Sequence, residues 1–225
     1  PNPDSLTFVV FCRLAFTRWY VDYALSSSAT TWSMEQVSTD AIKRLLRSYR
    51  QPGSPHRNRL DWDVFNFKFM GVPQKRKRII AGSPELIARL RRSPKKRAAV
   101  RDFIQAPRGT HIRNECLYVY NGRENRHKRR KLGPDDSCLP ISGPSHTIVA
   151  KPLRWVTPGS GAPMLRLTPR ESACLQALPM EYALPETSTT VATRAIGNAV
   201  PPPVITQMLA ARGRPVSPTL LWRPP

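Results

Sequence analysis

Carboxylates are scarce in this sequence: 15 acidic residues stand against 36 lysines and arginines, a formal charge of +21 over 225 residues. Such a balance implies a polyanionic partner, nucleic acid before others. The cations recur in separate stretches, and a solvated basic surface, or a packaging or ribosomal-type protein that binds without chemistry, accounts for the same charge. Cysteine is sparse too. Cys12, Cys116, Cys138 and Cys174 form no CxxC pair and have no histidine at zinc spacing, so neither a metal site nor a disulfide framework is indicated and the thiols read as reduced. No apolar run approaches the roughly 18 residues that span a bilayer, and no basic stretch leads into an apolar signal core. The expectation is a soluble intracellular protein, nuclear in a eukaryote and cytoplasmic otherwise.

What is present suffices for a core, since 40% of the residues are apolar. Residues 5 to 25 read as a helix, with Leu6, Val10, Leu14 and the aromatics Phe16, Trp19, Tyr20 and Tyr23 giving apolar cover and Arg13, Thr17, Arg18 and Asp22 a polar side. Thr31 to Glu35 suits a short strand ending in a carboxylate, and Ser38 or Thr39 can cap a helix through Ile42, Leu45 and Leu46 to about Arg50. Beyond a Pro/Gly loop, the alternation of Phe65, Phe67 and Phe69 followed by Ile79 and Ile80 predicts an antiparallel pair at a sheet edge. Helices are expected over Pro84–Arg91 and Lys95–Ile104. From Gln105 to about Pro163, Pro, Gly and Ser become frequent, and short strands are expected at Glu115–Tyr120 and His146–Ala150, with the densest basic run at Arg126–Lys131. Helical structure returns from Thr168 through Leu178 and from Pro203 to about Ala211, before a Pro-rich tail at 213–225.

Three segments carry a resemblance. Gly71-Val72-Pro73-Gln74-Lys75-Arg76-Lys77-Arg78 resembles the Gln-x-Arg-x-Arg element of the DNA cytosine-5 methyltransferases, together with the Gly-Val-Pro that precedes it. Leu167-Thr168-Pro169-Arg170-Glu171, with Leu175-Gln176 and Pro179 following, resembles that family's ninth motif, and Ile196-Gly197-Asn198-Ala199-Val200-Pro201-Pro202-Pro203 its tenth. In that frame Trp32-Ser33-Met34-Glu35-Gln36-Val37 looks like the sixth motif, Glu-Asn-Val, with Gln36 where the family has Asn. The extra methylene must place the amide differently.

The resemblance implies an α/β fold: part of a Rossmann-like methyltransferase sheet with a small, loop-rich target-recognition region. Residues 1–104 and 164–212 would belong to the catalytic domain and 105–163 to target recognition. It implies S-adenosylmethionine as methyl donor and a cytosine flipped from duplex DNA as substrate. Carbon 5 becomes nucleophilic only after a thiolate adds to carbon 6, and the charge that then builds on the ring needs positioned partners. By resemblance Glu35 serves ring nitrogen 3 and Arg78 the exocyclic oxygen, while Arg76 helps hold the base, the backbone or the catalytic loop. Gln74, Lys75 and Lys77 would contact substrate, and Asn198, Ala199 and Val200 would close over the methionine end of the donor. Lys75, Lys77, Arg89–Lys96 and Arg126–Lys131 are candidates for phosphate contacts.

The family's Phe-x-Gly-x-Gly turn and Pro-Cys nucleophile are not in these 225 residues. The helix at 5–25 falls where the family places the one after Pro-Cys, and Cys12 inside it is expected to be a buried, unreactive thiol. The expectation is therefore the C-terminal part of an enzyme, inactive alone, with its other half in cis or in trans. A non-catalytic basic relative that binds nucleic acid, RNA included, is the competing reading. Without the family frame, Glu35 is a salt-bridge residue, Gln74–Arg78 a basic run or nuclear-import signal, and Gly197-Asn198 a turn.

Overall fold

A computed structural model describes residues 14–114, 118–120, 129–131, 138–149, 153–179, 181–184 and 188–213. In chain order the helices and strands are α1 (Leu14–Ser26), β1 (Ser33–Val37), α2 (Asp40–Ser48), β2 (Asp61–Asn66), β3 (Lys77–Gly82), α3 (Pro84–Arg92), β4 (His111–Asn114), β5 (Tyr118–Tyr120), β6 (Arg129–Lys131), β7 (Cys138–Pro140), β8 (Leu153–Val156), β9 (Leu165–Arg166), α4 (Pro169–Leu175), α5 (Thr189–Asn198) and α6 (Pro202–Ala211). The chain divides into two compact units, one drawn from Pro1–Phe67, Lys77–Lys95 and Ile205–Leu220, the other from Lys68–Arg76, Lys96–Val204 and Leu221–Pro225. Among the described residues, no helix is long and apolar enough to cross a membrane.

The first unit is built on a three-stranded sheet ordered β1-β3-β2, with β3 antiparallel to both neighbours. Strand side chains alternate between faces, so the register sorts them. Met34, Gln36, Ile79, Ala81, Trp62 and Val64 share one face and pack with Tyr20, Val21, Ala24 and Leu25 of α1 and Ile42 and Leu46 of α2. Glu35, Arg78, Ile80, Asp61 and Asp63 share the other, where Arg91 of α3 reaches Asp61 and Asp63 at 2.6 and 2.7 Å. Covering both faces explains why Ser33 through Gln36 are all buried.

Local chemistry sets the helix starts. The Thr39 hydroxyl accepts from the Ile42 amide at 3.3 Å, and Pro84 occupies the first turn of α3, where its missing N–H costs nothing. Buried Leu86, Ile87 and Leu90 hold α3 down, each contributing about 1.5–3 kcal/mol by leaving water. Gly82 is required by a close approach: a Cβ there would stand 2.4 Å from the Trp32 carbonyl.

The second unit contains a four-stranded antiparallel sheet ordered β7-β4-β8-β9 and the pair β5-β6. Its core gathers Phe103, Ile112, Ile148, Trp155, Leu175 and Ile196.

Several expected elements differ. β1 runs from Ser33 to Val37, two residues later than the spacing suggests. The Phe65-Phe67-Phe69 alternation does not continue as strand: β2 ends at Asn66, and Phe67–Phe69 is a 3-10 turn. The helix expected over Lys95–Ile104 is reduced to a 3-10 turn at Val100–Asp102, because the amides of Lys96, Val100 and Arg101 go to the distant carbonyls of Phe69, Gly143 and Ile141. No strand forms over His146–Val149, where Ile148 N donates to the Gln74 side chain at 3.1 Å instead of to a neighbouring strand. α4 stops at Leu175, short of Leu178, as the chain turns through Ala177 at a φ of 56°. Strands β4 and β8 lie in stretches that periodicity left as loop. Residues 5–13 with Cys12, Glu115 to Leu117, Arg126 to Lys128, Ala150 and the tail beyond Gly213 lie outside the described residues.

Candidate active site

Antiparallel pairing sets Val37 opposite Arg78, so Glu35 is Arg78's diagonal neighbour on the same face, within reach of two long side chains. They meet: Arg78 Nε lies 3.2 Å from Glu35 Oε1, with the carboxylate side chain 2% exposed and the guanidinium side chain 15% exposed. Burial pulls the Arg78 pKa down and the Glu35 carboxylate pulls it partly back up, leaving it below the usual arginine value. A second Arg78 nitrogen donates to its neighbour's carbonyl, Lys77 O, at 2.9 Å. A buried carboxylate beside a fixed cation can exchange a proton and stabilise an oxyanion at one locus.

Gln36 points to the opposite face. Its Nε2 donates to Thr17 Oγ1 of α1 at 3.2 Å, and its Oε1 accepts from Val37 N at 2.8 Å. The longer amide is therefore spent on fastening α1 to β1 and on the strand end.

Gln74 and Arg76 belong to the second unit, and the same alternation turns them inward while Lys75 and Lys77 are exposed. Gln74, fully buried, donates from Nε2 to Leu175 O at 3.0 Å and to the Gln176 side chain, and its Oε1 accepts from Ile148 N. Arg76, 2% exposed, donates to Gly197 O at 2.9 Å, Ile148 O at 3.3 Å and Ala199 O at 3.4 Å. Gln176 also donates to Ala199 O. Arg76 and Gln176 thus hold the carbonyls of the turn that ends α5, and Gln74 holds Gln176. Of the expected site residues, the structure brings Glu35 together with Arg78, and Arg76 together with the 197–199 turn, which Gln74 meets only through Gln176; Arg76 donates there to main-chain oxygens. Gln176 belongs to the ninth-motif resemblance, which by itself assigns it no role; its part in holding the turn comes from the tertiary contacts.

Asn198 is the last residue of α5 and is exposed, with Ala199 and Val200 half-buried after it. Gly197 packs so closely that a Cβ would lie 3.0 Å from the Val149 carbonyl carbon. At the start of α4, Thr168 and Glu171 form a reciprocal capping box. Glu171 also accepts from Trp155 Nε1 at 3.0 Å and pairs with Arg108 at 2.7 Å. Burial would raise the Glu171 pKa, but the hydrogen bonds from Arg108, Thr168 and Trp155 outweigh it and hold the carboxyl below the usual range. Of the cations expected on phosphate, Arg89 donates to Ala211 O at 3.1 Å and Arg91 is engaged by Asp61 and Asp63. Cys174 is a buried thiol whose pKa is pushed up chiefly by burial.

The fold has counterparts among solved structures. A DNA modification methyltransferase encoded within an E. coli prophage superposes with a TM-score of 0.55 at 15% identity, over 89% of this chain and 73% of that one. Spodoptera frugiperda DNMT2, in a mutant form, gives 0.51 at 14% identity, over 87% and 71%. At such identities the likeness concerns the fold alone, which is of the Rossmann-like α/β class. A search of curated proteins gave no match. The model of the C-5 cytosine-specific DNA methylase family matches residues 89–213, more than half of the chain and inclusive of the capping box and the 197–203 turn. The chain belongs to that family of DNA methyltransferases.

Proposed function

We propose that this chain is the base-handling, C-terminal part of an enzyme that transfers a methyl group from S-adenosylmethionine to carbon 5 of a cytosine flipped out of duplex DNA. The observation that carries the reading is the Glu35–Arg78 pair, a buried carboxylate and a guanidinium side by side on one sheet face. In this role Glu35 holds a proton at ring nitrogen 3, and Arg78 keeps its charge against the exocyclic oxygen, so that electron density moved into the ring is met by fixed partners. Lys75 and Lys77, exposed on alternate positions, contact phosphate. Gln74 and Arg76 act through the 197–199 turn, as positioning groups. Residues 105–163 serve target recognition, anchored through Arg108 and Trp155 on Glu171.

The residues at 198–200 fit one edge of a methyl-donor site. The turn's carbonyls face Arg76 and Gln176, which leaves the exposed Asn198 amide available to the carboxylate end of the donor. When bound, S-adenosylmethionine supplies an electrophilic methyl group. The remaining donor contacts and the thiol nucleophile come from outside these 225 residues, in cis or in trans, and the isolated chain is inactive.

The test is tritiated methyl transfer to duplex DNA by the chain combined with the polypeptide that supplies Pro-Cys. Glu35→Gln and Arg78→Lys, each confirmed as folded, are expected to lower kcat by at least about 100-fold. Unchanged rates in both would remove the assigned roles. Absence of turnover in every combination, with duplex binding intact, would favour a non-catalytic DNA-binding relative.

A further inference from the structure

The first unit carries a second concentration of charge. Between Ala41 and Leu60 the chain has six lysines and arginines and no carboxylate. Arg44, Arg47, Arg57 and Arg59 are exposed, and among the described residues no carboxylate pairs with them within 4 Å; Arg50 pairs with Asp61 at 2.8 Å. Three of these arginines, 47, 50 and 57, line a hollow of about 610 Å³ whose wall includes Trp62. The Arg47 guanidinium stands 6.0 Å from the Trp62 ring centroid, an orientation that holds the cation in place. The next hollow, of about 850 Å³, shares Asn58 and adds Arg59, Arg89 and Arg212 against one acid, Glu85.

The arginines sit on a formed scaffold. Successive turns, Ser54 N to Gln51 O at 3.1 Å, Arg57 N to Ser54 O at 3.2 Å and Arg59 N to His56 O at 2.9 Å, fix the loop. The main chain that carries Arg57 and Arg59 is therefore set before an anion arrives. Trp62 is on the sheet face that packs against α2, whereas Glu35 and Arg78 are on the opposite face. The row where Trp62 meets Ala81 is three residues from Arg78, roughly 10 Å at strand rise. This surface is separate from the proposed reaction centre.

We propose that the face formed by the end of α2 and residues 51–59 is a phosphodiester-binding surface that holds a stretch of duplex DNA other than the one presenting the target base. Arg47, Arg57 and Arg59 supply the contacts, and Arg50, tied to Asp61, shapes the hollow. Spaced, unpaired guanidinium groups around a concave surface suit a row of phosphates, contacts that position a duplex without reading its sequence.

The experiment uses the full chain and a fluorescent duplex of A·T pairs only, which offers no cytosine and so keeps the result independent of methyl transfer. Affinity is measured against salt for wild type, Arg47→Ser/Arg57→Ser/Arg59→Ser, and the charge-conserving Arg→Lys version at the same positions. Each lost phosphate contact should flatten the slope of log K against log salt by about 0.9, hence by up to about 2.7 for the triple variant, while the lysine version keeps it. Should the triple variant not fold, Arg57→Ser alone, at an exposed loop residue, is expected to flatten the slope by about 0.9. Identical slopes and affinities in the folded serine variants and wild type would overturn the proposal. A loss confined to single-stranded RNA or to phosphatidylserine vesicles, with duplex binding intact, would overturn it as well.

Discussion

Replacing Arg76 with methionine keeps most of the side chain's volume and removes every donor. Arg76 is 2% exposed and serves Gly197 O at 2.9 Å, Ile148 O at 3.3 Å and Ala199 O at 3.4 Å. Ala199 O keeps Gln176 as a partner, so two carbonyls bear the loss. A buried polar group left without a partner costs about 1–3 kcal/mol, while relief from burying a charge offsets part of the sum. A net loss of about 2–4 kcal/mol is expected, which for a chain of this size lowers Tm by roughly 5–12 °C. Urea unfolding measures the loss, and hydrogen exchange of the 189–200 peptide locates it, since the turn should open before the rest of the unit. Arg76→Lys, which can reach one carbonyl but not two, should recover about half. A folded Arg76→Met protein within about 0.5 kcal/mol of wild type, with unchanged exchange at 189–200, would refute the bracing role.

The other predictions concern the supports around the two sites. Because the Glu171 carboxyl is held below its ordinary value of 4.5, it contributes stability above that value and loses it as pH falls through the lowered one; Glu171→Gln should flatten this stretch of a stability-against-pH curve. Thr17→Val and Gln36→Leu should be non-additive by about 1 kcal/mol in a double-mutant cycle read by urea unfolding, because they share one buried hydrogen bond. Gly82→Ala forces a methyl against the Trp32 carbonyl and should cost about 2–3 kcal/mol or more, visible as a lowered urea midpoint.

The sequence by itself determined the pieces whose physics is local. Thr39 and Thr168 stand where helices begin because their hydroxyls satisfy nearby amides, and Pro84 and Pro169 occupy the first turns of α3 and α4. The order of the motifs points to the family from the chain alone. Tertiary structure alone decided the rest. Periodicity is silent on register, and only pairing Val37 with Arg78 makes Glu35 the arginine's diagonal partner. The stretch 95–104 has helical composition yet forms little helix, because its amides find carbonyls some 27 to 43 residues away. The two arginines of one motif look equivalent in the chain, but Arg78 meets a carboxylate and Arg76 meets carbonyls brought from more than 70 residues downstream. Such partners become neighbours only when the chain closes around a core, which is why a local pattern cannot contain them.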